Sequence, residues 1–262
     1  MENNVGLRNI NSICYLNVLI QSVLSCDVFV NAIKTNKDKY MNETNVIGLL
    51  FYNIIYKMEH EIDIGTDNFT ISEKLEFVGQ NCSHEALIFI IDKLHLDKLF
   101  DIKYEKTIFC ISCDEITQKK IDTCAMYEYF TKSNDGNFIS IINRQIDSDC
   151  EYKCDICNQK RHVFLHDLIS SSEIFVITFN QFGEKKQIIK YERVITLSTG
   201  RYKLVAKINH IGNTNSGHYW MVRYNNKKTI AINDMEIKEI NEINDDTNST
   251  YTYMLFYIKT NN

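Results

Sequence analysis

Apolar positions recur every three or four residues early in the chain and every second residue later, and this change of period divides the sequence. In "NSICYLNVLIQSVLSC" (residues 11–26), Leu16, Leu19, Ile20, Val23 and Leu24 make one face of a helix. Asn11 or Ser12 are its candidate N-caps, and Cys14 sits in its first turn. "VIGLLFYNIIYKM" (46–58) and "HEALIFIIDKL" (84–94) predict two further helices, with the polar stretch "NAIKTNKDKYMNETN" (31–45) between the first two. From about residue 100 short runs rich in β-branched and aromatic residues take over: "KYEKTIFC", "EIFVITFNQF", "RYKLVAKINHI", "HYWMVRY", "KTIAIND" and "YTYMLFYIK". Helices first and strands afterwards predict an α+β fold whose second half builds an antiparallel sheet. No internal repeat or Pro/Gly/Ser-rich linker interrupts the chain, and polar "NEINDDTNST" (241–250) reads as a loop between the last strands, so residues 1–262 are expected to form one domain.

Composition narrows the function classes. With 262 residues, 44% apolar and 24% charged, the chain can bury a full core. Its net charge of −5 disfavours a nucleic-acid partner. The N-terminus "MENNVGLRNINS" has no basic region followed by an apolar one, and no run reaches the roughly 18 apolar residues of a membrane span. The expectation is an intracellular protein, cytoplasmic or nuclear (in a host cell if the genome is viral), with no membrane partner. Nine cysteines without an export signal then point to reduced thiols and metal ligands rather than disulfides. Proline is absent while Asn, Ile, Lys and Tyr abound; their A/T-rich codons report genome composition, and turns must be marked by Gly, Asn and Asp.

The strongest local motif is "CISC" (110–113) paired with "CDIC" (154–157). Each Cys-x-x-Cys knuckle offers two thiolates, and two knuckles complete the four-sulfur tetrahedron that zinc prefers. Cys110, Cys113, Cys154 and Cys157 are therefore the expected Zn²⁺ ligands, with Cys150 as a possible substitute. Four thiolates leave no open position, so the zinc would be structural, joining two distant hairpins.

Cys14 admits two readings. A lone cysteine is more often a small buried hydrophobe. At a helix start, however, main-chain N–H groups and the helix dipole favour a thiolate. A nucleophile would also need a base, an orienting group and an oxyanion donor. "NTNSGHYWMVRY" (213–224) opens into a strand at His218, and "AINDMEI" follows with Asn233 and Asp234. If the two strands form a hairpin, a carboxamide or carboxylate lies beside His218 and can hold its imidazole in the tautomer a general base needs.

These residues resemble the boxes of the ubiquitin-specific proteases. "GLRNINSICYLNVLIQSVL" (6–24) is similar to the family's cysteine box, and "HIGNTNSGHYWMVRY" with "INDMEI" to its histidine box. "QNCSHEALIFIID" (80–92) resembles the box between them, "EYKCDICNQKRHVFLHDLISSSEIFVITFNQF" (151–182) the second zinc knuckle and the strand after it, and "YMLFYIK" the terminal strand. The resemblance implies a papain-like right hand with a helical thumb (1–100), zinc-bearing fingers (101–165) and a β palm (166–262). It implies Cys14 as nucleophile, His218 as general base and acid, Asn233 as the orienting third member, Asn9 as oxyanion donor and Asp234 as a helper. Glu85, Gly217 and Tyr219 would bind substrate. The implied reaction is hydrolysis of the isopeptide or peptide bond after ubiquitin's C-terminal glycine through an acyl-enzyme, by a monomer whose partners are ubiquitin and ubiquitinated proteins.

Two departures bear on that reading. Asn11-Ser12-Ile13 stands where the family reads Gly-Asn-Thr, and Asn tolerates the left-handed backbone that a glycine would adopt. Cys82 occupies the usual acidic position of the middle box, while Glu85 persists. Three competing readings follow: a protease for another ubiquitin-like modifier, an inactive ubiquitin-binding module of the same fold, and a zinc-dependent nucleic-acid binder using the short basic "QKRH" (159–162).

Overall fold

The computed structural model describes residues 5–77, 79–129, 138–147, 153–160, 162–179, 188–213, 216–225, 228–240 and 248–260. Its first hundred residues form seven helices: α1 (Cys14–Val23), α2 (Asp27–Thr35), α3 (Lys37–Asn42), α4 (Val46–Glu59), α5 (Asp67–Lys74), α6 (Ser83–Leu94) and the single turn α7 (Asp97–Phe100). α4 and α6 lie where their periodicity predicts. The polar stretch 31–45 is itself largely helical. Phe29, Val30 and Ile33 give α2 a buried stripe, and Tyr40 anchors α3. Asn45 then caps α4, accepting from the Gly48 N–H at 3.0 Å.

α1 departs from a helix with one apolar face, because all ten of its residues are buried. Its polar positions must therefore find partners inside the protein. Gln21 donates to the Val5 carbonyl at 2.8 Å and accepts from the Arg223 guanidinium at 2.5 Å, and the Ser22 hydroxyl donates to the Val18 carbonyl at 2.7 Å. Neither Asn11 nor Ser12 caps the helix. The N-cap is Ile13 and no side chain makes a capping bond. Both residues instead take left-handed backbone, at φ 54° and φ 62°, which turns the chain into α1.

β1 (Ile102–Cys110), β2 (Glu115–Cys124), β4 (Arg144–Asp147) and β5 (His162–Ser171) form an antiparallel finger sheet in the order β2-β1-β5-β4. β3 (Tyr127–Tyr129), β6 (Ile174–Phe179), β9 (Gly200–Gly212), β10 (Gly217–Tyr224), β11 (Thr229–Asn233), β12 (Glu236–Ile240) and β14 (Thr252–Lys259) form the palm, ordered β12-β11-β10-β9-β14-β6-β3. β8 (Val194–Leu197) also pairs with β9. Short β7 (Ile189–Lys190) pairs with β13 (Asn248–Ser249), so the end of the polar 241–250 stretch is a strand, and 241–247 lies outside the described residues. The palm is antiparallel except for β3, which runs parallel to β6. α8 (Phe138–Asn143) lies between β3 and β4 in the chain.

The middle of the palm is buried on both faces, which explains why β6 reads as an unbroken apolar run, while the edge strand β12 is half-buried or exposed throughout. Its alternate residues enter different cores. Ile174 and Val176 pack with the thumb helices, whereas Phe175, Ile177 and Phe179 pack with Tyr104, Ile142 and Leu168 at the base of the fingers. β14 divides likewise, sending Met254 and Phe256 to the thumb and Leu255 and Tyr257 to the fingers. The central helix α1 is thereby fixed against the middle of the palm.

The segment before α1 is fixed too. The Leu7 N–H donates to the Asp234 carbonyl at 3.0 Å. A Cβ on Gly6 would lie 2.5 Å from the Met235 Cα and 2.8 Å from the Asp234 oxygen, both main-chain atoms with no freedom to yield. Gly6→Ala is expected to push this segment off the 233–235 turn and lower stability by about 1–3 kcal/mol in urea unfolding; an unchanged midpoint would show that the two segments are not tightly apposed.

Candidate active site

Cys14 opens α1 and is 3% exposed. Burial pushes its thiol above the ordinary cysteine range, and the nearby Asp234 carboxylate acts in the same direction. The main-chain N–H groups of Tyr219, Tyr15 and Cys14 itself favour the thiolate and only partly offset these effects. The main-chain donors expected at the helix start are present, but burial is the larger effect and favours the thiol.

Tyr219 follows His218 directly, so the sulfur lies against the start of the strand that carries the imidazole. β10 and β11 form the expected hairpin, with Met221 opposite Ile232 and Val222 opposite Ala231. This brings His218 Nε2 to 2.6 Å from Asn233 Oδ1. A carboxamide oxygen can only accept, so Nε2 donates in this contact and Nδ1 is the ring nitrogen left for another partner. Asp234 sits in the β11–β12 turn at φ 53°, and its Oδ1 accepts from Asn17 Nδ2 at 2.7 Å. Asn9 is exposed on the segment leading to Cys14.

Beside this group lies a cavity of about 240 Å³ between the start of α6 and the β9–β10 hairpin. Glu85 and Tyr219 line it, whereas Gly217 is not among the lining residues; Gln80, Asn81, Cys82, His210 and Asn213 complete it, of which only Cys82 was singled out by the sequence. The Cys82 sulfur is 2.8 Å from the Tyr253 hydroxyl. Gln80 Nε2 donates to the Gly217 carbonyl at 2.6 Å, joining the two walls. A Cβ on Gly217 would fall 2.3 Å from His210 Nε2, so that position requires glycine. The Tyr219, His210 and Tyr253 rings pack on one another at centroid distances of 4.4–6.0 Å.

At the far end of the fingers the sulfurs of Cys110, Cys113, Cys154 and Cys157 lie within 4.8 Å of one another. Cys110 and Cys157 are 3.6 Å apart and Cys113 and Cys154 3.7 Å. A tetrahedron with metal–sulfur bonds of about 2.3 Å has edges of about 3.8 Å, so the cluster fits a tetrahedral ion. Both knuckles close in the same way. Asp114 N–H bonds to the Cys110 carbonyl and Asn158 N–H to the Cys154 carbonyl, each from a left-handed residue, at φ 60° and φ 58°. The Ile156 and Cys157 N–H groups point at the Cys154 sulfur, 3.4 and 3.5 Å away. Cys150 lies outside the described residues, as does Arg161 of the basic "QKRH" stretch.

A helix-start cysteine against a hairpin whose two strands bring a histidine and an asparagine together, on a thumb and palm with a four-cysteine finger cluster, defines a papain-like α+β fold. The family model for ubiquitin carboxyl-terminal hydrolase matches residues 5–257, and the chain belongs to that family. It is 18% identical to the probable ubiquitin carboxyl-terminal hydrolase 8 of Schizosaccharomyces pombe over 292 aligned positions, covering 96% of this chain and 64% of that protein. The chain thus spans just under two thirds of that relative's length. Among solved structures it is similar to the SAGA DUB module of Ubp8, Sgf11, Sus1 and Sgf73 bound to monoubiquitin, with a TM-score of 0.80 and 17% identity over 98% of this chain and 69% of that one. The same module bound to ubiquitin aldehyde matches with a TM-score of 0.81 and 16% identity over 98% and 70% of the two chains.

Only the thiolate is alkylated, so a raised thiol pKa makes Cys14 less reactive than a free cysteine near neutrality. Iodoacetamide labelling of Cys14 in the substrate-free protein should climb steadily from about pH 7 to about pH 10. A plateau already reached below pH 7 would reveal a preformed thiolate.

Proposed function

We propose that this protein is a deubiquitinating cysteine protease that cleaves the bond after ubiquitin's C-terminal glycine. The observation that carries the reading is the 2.6 Å contact of His218 Nε2 with Asn233, on the strand whose next main-chain N–H reaches the Cys14 sulfur. With Nε2 protonated and held, Nδ1 is the basic nitrogen available to Cys14. The thiol passes its proton to Nδ1 as sulfur attacks the carbonyl, which avoids a resting thiolate in a buried site. The oxyanion is met by the Cys14 N–H and the Asn9 carboxamide. The imidazolium then protonates the departing lysine amine and leaves a thioester, and His218 deprotonates the water that hydrolyses it. Left-handed Asn11 and Ser12 reproduce the turn into α1 without the family's glycine, which favours an active enzyme over an inactive binding module.

In this reading the substrate tail lies in the cavity, with Glu85 and Tyr219 along it and Gly217 held beside it through Gln80, and residues 1–262 act as one catalytic domain. The cysteine cluster would hold Zn²⁺, which supplies cross-linking of the two finger hairpins and takes no part in the reaction. The protein is read as an intracellular monomer, unlike the multi-protein modules that it resembles. A second reading, a protease for another ubiquitin-like modifier, is favoured by Cys82: among the described residues Glu85 is the single carboxylate on the cavity wall.

Ubiquitin bearing a C-terminal electrophile should form a one-to-one adduct, seen by intact mass, that Cys14→Ala abolishes while ubiquitin binding persists. Adducts formed only with a different modifier would replace ubiquitin as substrate, and an adduct surviving in Cys14→Ala would remove Cys14 as nucleophile. Elemental analysis should find one zinc per chain, and Cys154→Ser should lose it together with thermal stability; metal-free wild-type protein of full stability would refute the zinc assignment.

A further inference from the structure

We propose that Asn17 and Asn68 are positioning residues for acyl transfer, tying the Leu7–Asn9 segment, α1 and the Asp234 turn into one register. The proposal rests on the deubiquitinase reading, in which these three pieces carry the oxyanion donor, the nucleophile and the neighbour of Asn233. Asn17 lies three residues after Cys14 on α1. Its Nδ2 donates to Asp234 Oδ1 at 2.7 Å and approaches the Arg8 and Leu7 carbonyls at 3.3 and 3.4 Å. Its Oδ1 accepts from Asn68 Nδ2 at 2.7 Å, and that same amide donates to the Arg8 carbonyl at 2.8 Å. The Arg8 carbonyl, whose peptide leads directly into Asn9, thus receives both side chains. The loop closes through Leu7 N–H on the Asp234 carbonyl, at 3.0 Å.

Both asparagines are withdrawn from water, with relative exposures of 1% and 0%. Their orientations are set by what they contact: carbonyls require NH₂ groups, which fixes Asn68 Oδ1 as the atom left over. That oxygen is buried without a hydrogen-bond partner. An unsatisfied buried oxygen is destabilising, and apolar side chains of similar shape can replace a polar pair with little loss of stability. Packing alone therefore does not account for the pair. What the amides supply, and leucine cannot, is a directional hold on the carbonyl next to the oxyanion residue and on the carboxylate next to Asn233.

The test uses the full chain with Asn17→Leu and Asn68→Leu. Hydrolysis of ubiquitin-7-amido-4-methylcoumarin should fall roughly 10²-fold in kcat, the scale of a misplaced transition-state group, with KM within about twofold. Iodoacetamide alkylation of Cys14 should be unchanged, because displacement at a saturated carbon creates no oxyanion. Amide hydrogen exchange should quicken at residues 5–10 and 233–236. A wild-type kcat in the variants, or a parallel fall in hydrolysis and alkylation, would overturn the proposal. If the leucine variants fail to fold, Asn68→Ser removes both donated bonds with a smaller change and carries the same expectations. Should the wild-type protein itself not release coumarin, the deubiquitinase reading fails, and the exchange arm still decides whether the asparagines hold these segments: unchanged exchange refutes them.

Discussion

Withdrawal of the whole of α1 from water sets the terms for the rest of the molecule. A helix covered on every side needs a sheet on one flank and helices on the other, which the palm and α5–α6 supply. Its polar side chains must then be satisfied internally; Ser22 bonds within the helix, while Gln21 reaches Val5 and Arg223 and Asn17 reaches Asp234. The cost of burying unpaired polar groups thus becomes a device for alignment. The helix that starts the candidate site is thereby tied to the segments around it.

The same burial shapes the chemistry. A thiol kept out of water resists ionisation even with three main-chain donors aimed at it, and the Asp234 carboxylate opposes ionisation further. In the proposed mechanism such a group depends on a correctly oriented base when substrate arrives. The pairing of His218 with Asn233 fits that requirement, since a neutral carboxamide fixes the imidazole's tautomer without adding a second negative charge near the sulfur.

The fingers are stabilised by other means. β2 is an edge strand with most of its residues exposed, and the sheet has little apolar depth beyond its base. Four sulfurs at its far end are placed so that a bound ion would supply a point of cross-linking between a turn after β1 and a loop before β5. This division of labour, a two-sided apolar core in the palm and a metal-ready clamp in the fingers, leaves the active site on the rigid part.

The sequence by itself determined the features encoded in short windows. Helical spacing placed α4 and α6, Cys-x-x-Cys pairs marked the finger cluster, and a turn-rich loop opening into a β-type run marked His218, with Asn233 one hairpin away. Residue type and local spacing suffice where the chemistry needs particular atoms on neighbouring residues. Only the tertiary structure decided that α1 is buried all round, that the polar 31–45 stretch carries α3 on a single anchoring tyrosine, and that Asn11 and Ser12 turn the chain instead of capping it. It alone joined Asn17 to Asn68 and Asp234, Cys82 to Tyr253 and Gln80 to Gly217, pairs separated by 51 to 217 positions. An asparagine or glutamine in a helix or loop reads as an ordinary surface residue. What gives it a role is loss of water around it, and desolvation depends on the packed whole, which no local window of sequence contains.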